Sequence, residues 1–268
     1  MPNAQSRPAA TRPGALSWLP ALLARAGHAL LPGACVLCGG TAAMGTQTCQ
    51  PCHAQIFGAV RARCRVCANP LPDGGQEDGR DGGQDGGGAV CGRCLSHPPA
   101  FDATVAGADY AMPQDQLVLQ LKFGGRLALA ALFGRVLADA ALGQPGFVRP
   151  AVLCPVPLGP RRLAARGYNQ ALEIARALGR RLDIEVQARL AERTRDTVAQ
   201  SLVQPAERRA NIAHAFAVPD RALVEGRHIG LVDDVMTSGQ TLDELAAALK
   251  RHGAARITCL VFARTPPH

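Results

Sequence analysis

The sequence predicts an α/β protein in which a mainly parallel sheet, flanked by helices, follows an N-terminal helix and a small cysteine-rich module. Beyond residue 100, short apolar runs that suit buried strands alternate with stretches of helical spacing. That alternation builds parallel sheets. Before residue 100, four Cys-x-x-Cys pairs lie within 60 residues. We therefore predict a disordered segment at 1–13, a cysteine-rich domain at 14–100 and a sheet domain at 101–268.

Composition indicates a globular protein with a preference for anionic partners. Its 268 residues are 47% hydrophobic, and 29 basic residues outnumber 21 acidic ones. The apolar stretch 16–31 resembles a signal sequence, but Pro20, Arg25 and His28 interrupt it, so an amphipathic helix is predicted and a lipoprotein signal is the alternative. No stretch is long enough for a membrane span, and a cytoplasmic location is expected.

The cysteine pairs predict structural zinc. Two thiolates two residues apart can bind one tetrahedral ion, and a reducing compartment disfavours disulfides, so we expect two Cys₄ sites. Sequential pairing is the simplest arrangement, with cross-brace or nested pairing as alternatives and thiol redox chemistry as the competing function. A spacer without apolar residues at 73–88 predicts a flexible insertion within the second site. The eight candidate ligands are Cys35, Cys38, Cys49, Cys52, Cys64, Cys67, Cys91 and Cys94.

The rest of the chain predicts the elements of the sheet. Strands are expected at 101–110, 151–154, 229–232 and 256–263, and helices at 115–123 and 126–142. Asn169 is placed to begin a further helix. The polar stretch 188–217 has no clear periodicity, which is typical of a lid or binding loop.

Residues 228–242, HIGLVDDVMTSGQTL, are the most informative stretch. A buried strand at 229–232 would place Asp233 and Asp234 at its carboxyl end, where open α/β sheets hold ligands. Thr241 and Glu244 match a capping box, so a helix N-terminus should point at the intervening loop. That loop, called here the 237–241 loop, offers short hydroxyls and main-chain N–H groups to a phosphate. It comprises Thr237, Ser238, Gly239, Gln240 and Thr241.

Carboxylates beside a phosphate cradle repel phosphate, so they should face neutral hydroxyls or a divalent cation. The inferred ligand is therefore a 5-phosphorylated ribose with Mg²⁺. Prolines at 155 and 157 end the preceding strand and predict a loop that carries Arg161, Arg162 and Arg166, whose guanidinium groups suit a pyrophosphate. A solvated basic turn is the alternative. Lys122 is a candidate placed charge, with a solvated helix end as its alternative.

The stretch 229–241 closely resembles the phosphoribosyl-pyrophosphate (PRPP) motif of type I phosphoribosyltransferases. The whole chain resembles the ComF family, in which a double zinc ribbon is fused to a type I phosphoribosyltransferase-like domain. The glycine- and aspartate-rich spacer departs from that family's pattern. The resemblance rests on the four cysteine pairs and on LKFGG at 121–125, PVPL at 155–158, RGYNQ at 166–170, TRDTVAQ at 194–200, ERRAN at 207–211 and the PRPP motif.

The resemblance implies a site for PRPP with Mg²⁺. Asp233 and Asp234 would hold the ribose hydroxyls, the 237–241 loop the 5-phosphate, and the arginines the pyrophosphate. As an enzyme, the protein would transfer phosphoribose to a nitrogen nucleophile. The family is also associated with DNA uptake in natural transformation, so single-stranded DNA and the uptake machinery are expected partners. The alternative is a non-catalytic DNA-handling protein that retains a phosphoribose pocket.

Overall fold

The computed structural model describes residues 33–43, 45–58, 61–72, 89–194 and 215–266. The predicted disordered start, the amphipathic helix at 16–31 and the insertion at 73–88 lie outside these residues. The chain divides into two compact units, Met1–Gln50 and Pro51–His268. The domain boundary near residue 100 stays a prediction. In the described part of the chain, no helix is both long and apolar enough to cross a membrane.

The described helices and strands follow the predicted alternation. The helices are α1 (Gln50–Phe57), α2 (Gly92–Ser96), α3 (Gln114–Phe123), α4 (Ala128–Gly143), α5 (Pro160–Arg166), α6 (Gln170–Leu182) and α7 (Gln240–Arg251), with a 3-10 turn at Arg221–Leu223. The strands are β1 (Ala103–Asp109), β2 (Val152–Pro155), β3 (Glu185–Val186), β4 (Glu192–Arg193), β5 (Phe216–Ala217), β6 (His228–Met236) and β7 (Arg256–Arg264).

A parallel sheet with strand order β1-β7-β6-β2-β3 forms the centre of the second unit. This confirms the predicted mainly parallel α/β sheet. Strand β6 is longer than the predicted 229–232, since its residues stay paired with β7 as far as Met236 beside Arg264. The expectation that the strand ends before the two aspartates is therefore wrong. Asp233 and Asp234 lie within β6, near its carboxyl end.

Helices α4 and α6 pack closely on each other beside the sheet. Phe133 of α4 stacks on Phe262 of β7, with ring centroids 3.5 Å apart and planes inclined by 4°. Gly134 allows the helix contact, because a Cβ there would lie 2.6 Å from the Ala177 Cβ and 2.8 Å from the Leu178 N of α6. No ordinary Cβ fits in that space without moving one helix.

Substituting Gly134 by valine should separate α4 from α6. We expect the free energy of unfolding to fall by about 2–3 kcal/mol, the usual cost of overpacking a filled core. Chemical denaturation measures the change. Gly143→Ala is the matched control, because the Cβ added at this exposed helix end meets nothing within 4 Å. Equal stability of the two variants would contradict the packing described here.

Candidate functional site

Asp234 of β6 forms an ion pair with Lys122, the penultimate residue of α3. Lys122 Nζ lies 2.8 Å from Asp234 Oδ2, and the aspartate side chain is only 4% exposed. Apart from this ion pair, Asp234 Oδ2 accepts no hydrogen bond from the described residues. The structure thus brings together two residues that the sequence indicated separately.

Asp233 lies half-buried beside Asp234. Its Oδ1 accepts a hydrogen bond from the Asp234 N at 2.9 Å. Burial and the neighbouring Asp234 carboxylate raise the pKa of Asp233 well above its usual range, while the positive charge of Lys122 acts in the opposite direction. Two carboxylates this close do not ionise independently, so hydroxyl donors or a cation would relieve their repulsion.

The 237–241 loop follows directly from β6. Thr237 and Ser238 are exposed, and Gly239 has a φ of 81°, in the left-handed region that glycine adopts without strain. Helix α7 begins at Gln240 with Gly239 as its N-cap, and no side chain caps it. The predicted capping box at Thr241 is therefore wrong, because the glycine turns the chain into the helix before Thr241 is reached.

Two arginines bind the carbonyl oxygens of this loop. Arg264 at the end of β7 donates through Nη1 to Met236 O at 2.9 Å and to Thr237 O. Arg93 of α2 donates to Ser238 O at 3.2 Å. Carbonyl oxygens repel an anion, so their engagement by guanidinium groups favours a loop that presents N–H and hydroxyl groups outward.

The three arginines predicted for pyrophosphate lie on helix α5, and the prediction of an irregular loop there is wrong. Pro160 occupies the first turn, where its fixed φ and missing N–H suit a helix start. Arg161 and Arg162 are exposed in the same turn. Arg166, at the end of α5, has its guanidinium 5.3 Å from the ring centroid of Phe123. This contact places Arg166 against the end of α3 that carries Lys122.

The predicted lid can be described only at its base. Strands β4 and β5 form a short antiparallel pair in which Arg193 lies opposite Phe216. Residues 195–214, which hold almost all of the TRDTVAQ and ERRAN motifs, lie outside the described residues. The role predicted for 188–217 as a lid stays a prediction.

The cysteine pairs assemble sequentially into two groups. Within each group the four sulfur atoms all lie within 4.8 Å of one another. The first cysteine group is Cys35, Cys38, Cys49 and Cys52, and the second cysteine group is Cys64, Cys67, Cys91 and Cys94.

The sulfur spacings fit zinc. Four sulfurs about 2.3 Å from a tetrahedral zinc stand about 3.8 Å apart. The Cys38 and Cys49 sulfurs are 3.8 Å apart, and those of Cys67 and Cys91 are 3.6 Å apart. The eight thiolates of the double ribbon would hold structural zinc.

Without a cation, the four thiols of the second cysteine group cannot all be ionised together. The Cys67 thiol and neighbouring N–H groups lower the pKa of Cys64 to about 4. The hydrogen bond to Cys64 and burial raise the pKa of Cys67, and burial raises that of Cys94 to about 12. One thiolate therefore forms at the expense of its neighbours, and four thiolates together require a bound cation.

Arg93 and Arg264 are site residues that the sequence analysis missed. Arg264 is 3% exposed and directly follows the apolar run Cys259–Ala263, and a charge in that position is a usable signal. Arg93 lies within the last cysteine pair and has no distinguishing pattern. Their carbonyl partners on the 237–241 loop become visible only once the chain is folded.

Family models match two parts of the chain. A double zinc ribbon domain matches residues 26–95, and a phosphoribosyl transferase domain matches residues 165–267. DNA utilization protein YhgH of Escherichia coli (strain K12) is 37% identical over 178 residues, covering 65% of this chain and 78% of that protein. The Salmonella typhi protein of the same name is 33% identical over 239 residues, covering 88% and 98%. Competence protein F of Haemophilus influenzae is 32% identical over 178 residues, covering 65% and 78%.

Solved structures include a similar glutamine phosphoribosylpyrophosphate (PRPP) amidotransferase from B. subtilis, 20% identical over 49% of this chain and 25% of that chain, with a TM-score of 0.34. A purine phosphoribosyltransferase from Pyrococcus horikoshii Ot3 is 17% identical over 60% of this chain and 77% of that chain, with a TM-score of 0.27.

A double zinc ribbon joined to a phosphoribosyltransferase domain defines the class of this protein. Relatives that carry DNA-utilization and competence names align with it over most of their length. The chain belongs to the ComF family, as its motifs predicted.

Purified protein should carry one zinc ion in each cysteine group. Cys64→Ser/Cys94→Ser should lose one zinc and unfold more easily, because a structural site contributes on the order of 10 kcal/mol to folding. Cys154→Ala/Cys259→Ala, which changes two buried cysteines outside both groups, should keep the full content. Elemental analysis by mass spectrometry measures the metal. Unchanged zinc content in the first variant would refute the assignment of the second cysteine group.

Proposed function

We propose that the carboxyl end of β6 binds PRPP together with Mg²⁺. The observation that carries this proposal is the buried Asp234–Lys122 ion pair directly before the 237–241 loop. It combines an acceptor for hydroxyl groups with a cradle for a phosphate on one strand end. A phosphorylated ribose presents those two groups a few ångströms apart.

Each part of the site suits one part of the ligand. Asp233 and Asp234 accept the ribose hydroxyls, and Mg²⁺ would be held among those hydroxyls, the pyrophosphate and the carboxylates. The hydroxyls and N–H groups of the 237–241 loop receive the 5-phosphate, aided by the N-terminus of α7. Arg161, Arg162 and Arg166 lie on α5, which follows β2, the strand paired with β6. These guanidinium groups suit the pyrophosphate.

Transfer would follow from this binding mode. A nitrogen nucleophile forms a bond to the ribose C1 as the bond from C1 to the pyrophosphate oxygen breaks, and the bonding electrons leave with the pyrophosphate. The arginines and Lys122 stabilise the negative charge that develops there. The chain's own contribution is positioning and electrostatics. The names of the relatives refer to DNA utilization and competence, and we infer that the reaction, or the binding step alone, serves such a role here.

Asp234→Asn should weaken PRPP binding about 10- to 100-fold. The variant also loses stability, because Lys122 is left unpaired, so binding is measured at a temperature where circular dichroism shows it folded. Charge-assisted hydrogen bonds are worth about 1.5–3 kcal/mol, and the neutral amide replaces the carboxylate with little change of shape. Asp183→Asn makes the same chemical change at an exposed helix end and should bind normally. Isothermal calorimetry with PRPP and Mg²⁺ measures both. An unchanged affinity for Asp234→Asn would refute the site.

The second candidate function is single-stranded DNA binding without phosphoribose transfer. The DNA-utilization and competence names of the relatives favour it. Two exposed arginines next to Cys64 of the second cysteine group could contact the phosphates of DNA. They are Arg61 and Arg65. Base stacking has little support, because Phe123 is the one aromatic side chain of the described residues that is largely exposed.

If this second function holds, affinity for a single-stranded oligonucleotide should fall steeply with salt. Arg61→Gln/Arg65→Gln should lower the slope of log K against log salt by about 1.4, since each phosphate contact to a single strand contributes about 0.7. Arg180→Gln/Arg181→Gln on α6 is the control, with the slope expected to stay unchanged. Fluorescence anisotropy over a salt series measures it. Salt-independent or absent binding would count against a DNA-holding role.

A further inference from the structure

The second cysteine group consists of two Cys-x-x-Cys pairs, called here its first knuckle (Cys64–Cys67) and its second knuckle (Cys91–Cys94). The first knuckle is hydrogen-bonded to the sheet through three successive main-chain carbonyls. Arg65 O accepts from Thr104 N at 3.1 Å, and Val66 O accepts from Thr104 Oγ1 at 2.6 Å. Cys67 O accepts from Arg264 Nε at 2.9 Å. The backbone that positions two of the four sulfurs is therefore fixed by β1 and by the last residue of β7.

Arg264 contacts the first knuckle with one side of its guanidinium. With the other side it contacts the start of the 237–241 loop, called the ligand loop from here on. Besides Cys67 O, it donates to Met236 O, to Thr237 O and to Thr265 O at 2.7 Å. The residue is 3% exposed. A buried guanidinium that donates to four main-chain oxygens holds those oxygens in fixed directions, because leaving any of them unpaired would be costly.

The second knuckle reaches the same loop. Arg93 lies between Cys91 and Cys94, on the short helix α2, and donates to Ser238 O at 3.2 Å. Both halves of the second cysteine group thus hold carbonyls at the start of the 237–241 loop, one through Arg264 and one through Arg93. Cys64, Cys67 and Cys94 also share a hydrophobic cluster with Met236 and Leu242, which flank the loop.

We propose that Arg264 and Arg93 are positioning residues of the ligand loop, and that they couple it to the second cysteine group. Holding the metal there fixes the two knuckles, and the arginines pass that order to the loop carbonyls. Loss of the metal would loosen the loop. By linkage, an anion bound in the loop must strengthen metal retention by the same factor. Only the identity of the anion rests on the proposed function.

Hydrogen exchange of the full-length protein tests the coupling without any ligand. Peptides covering 236–241 are compared between wild-type protein and Cys64→Ser/Cys94→Ser. We expect amide exchange in the loop to be about fivefold faster or more in the variant, the lower end of typical coupling between sites. Peptides from α4 report the general loss of stability, so the acceleration in the loop is measured relative to theirs. Equal loop exchange in the two proteins would overturn the proposal.

Arginine variants that keep the metal separate coupling from general unfolding. Arg264→Gln and Arg93→Gln should each speed loop exchange while zinc content stays at the wild-type level. Arg65→Gln changes an exposed arginine on the same module and should leave loop exchange unchanged. Arg264→Gln leaves buried carbonyl groups without their donor, so where this variant does not fold, Arg93→Gln alone decides the outcome. Full zinc with unchanged loop exchange in Arg93→Gln would refute its positioning role.

The reciprocal effect is measured as zinc affinity, by equilibrium competition with a chelating dye. Cys35→Ser/Cys38→Ser is used so that only the second cysteine group holds metal. Saturating PRPP with Mg²⁺ should tighten zinc binding about fivefold or more, and Arg93→Gln in the same background should reduce that effect. Calorimetry in parallel shows whether PRPP binds. PRPP binding without tighter zinc binding would overturn the coupling. If Cys64→Ser/Cys94→Ser shows faster loop exchange but PRPP does not bind the wild-type protein, the coupling is supported and the proposed ligand is refuted.

Discussion

The register of β6 on β7 is the constraint on which the site depends. Parallel pairing places Met236 of β6 beside Arg264 of β7. The Arg264 side chain can therefore donate to the Met236 and Thr237 carbonyls, where the chain leaves β6. The same pairing holds Asp233 opposite Val261. A shift of one residue would turn Arg264 to the other face of the sheet and leave the loop carbonyls without their donor. The ligand loop is therefore shaped by the sheet as much as by its own sequence.

Two buried charges near this strand end are balanced in different ways. Asp234 is paired with a single lysine, Lys122. The charge of Arg264 is instead stabilised by hydrogen bonds to several main-chain carbonyl oxygens. A buried ion pair is costly to break from either side. In the proposed function the two arrangements divide the site electrostatically: the aspartates would accept donors, and the loop, with its carbonyls engaged, would receive an anion. A phosphorylated sugar needs both.

The sequence predicted the sheet, the cysteine groups and the motif residues, because these depend on local patterns. Apolar runs of strand length locate β2, β6 and β7, and the spacing of the cysteine pairs is enough to predict two metal sites. It did not predict where β6 ends, because that depends on pairing with β7. Nor did it predict that Arg161 and Arg162 lie on a helix, because Pro155 and Pro157 indicate a loop whereas Pro160, the next proline, begins a helix. The partners of Lys122 and Arg264 are distant in sequence and no local pattern reveals them.

The position of the second cysteine group changes how the zinc module is understood. A ribbon joined by a flexible linker would be a separate arm, free to bind DNA independently of the sheet. Here its knuckle carbonyls accept hydrogen bonds from Thr104 and Arg264, and three of its cysteines share a hydrophobic cluster with residues flanking the ligand loop. The metal therefore stabilises one wall of the proposed PRPP site. Since the second cysteine group and the sheet share their packing, neither can be removed to assay the other. The role of the metal and the role of the ligand loop must be separated by point substitutions in the intact chain.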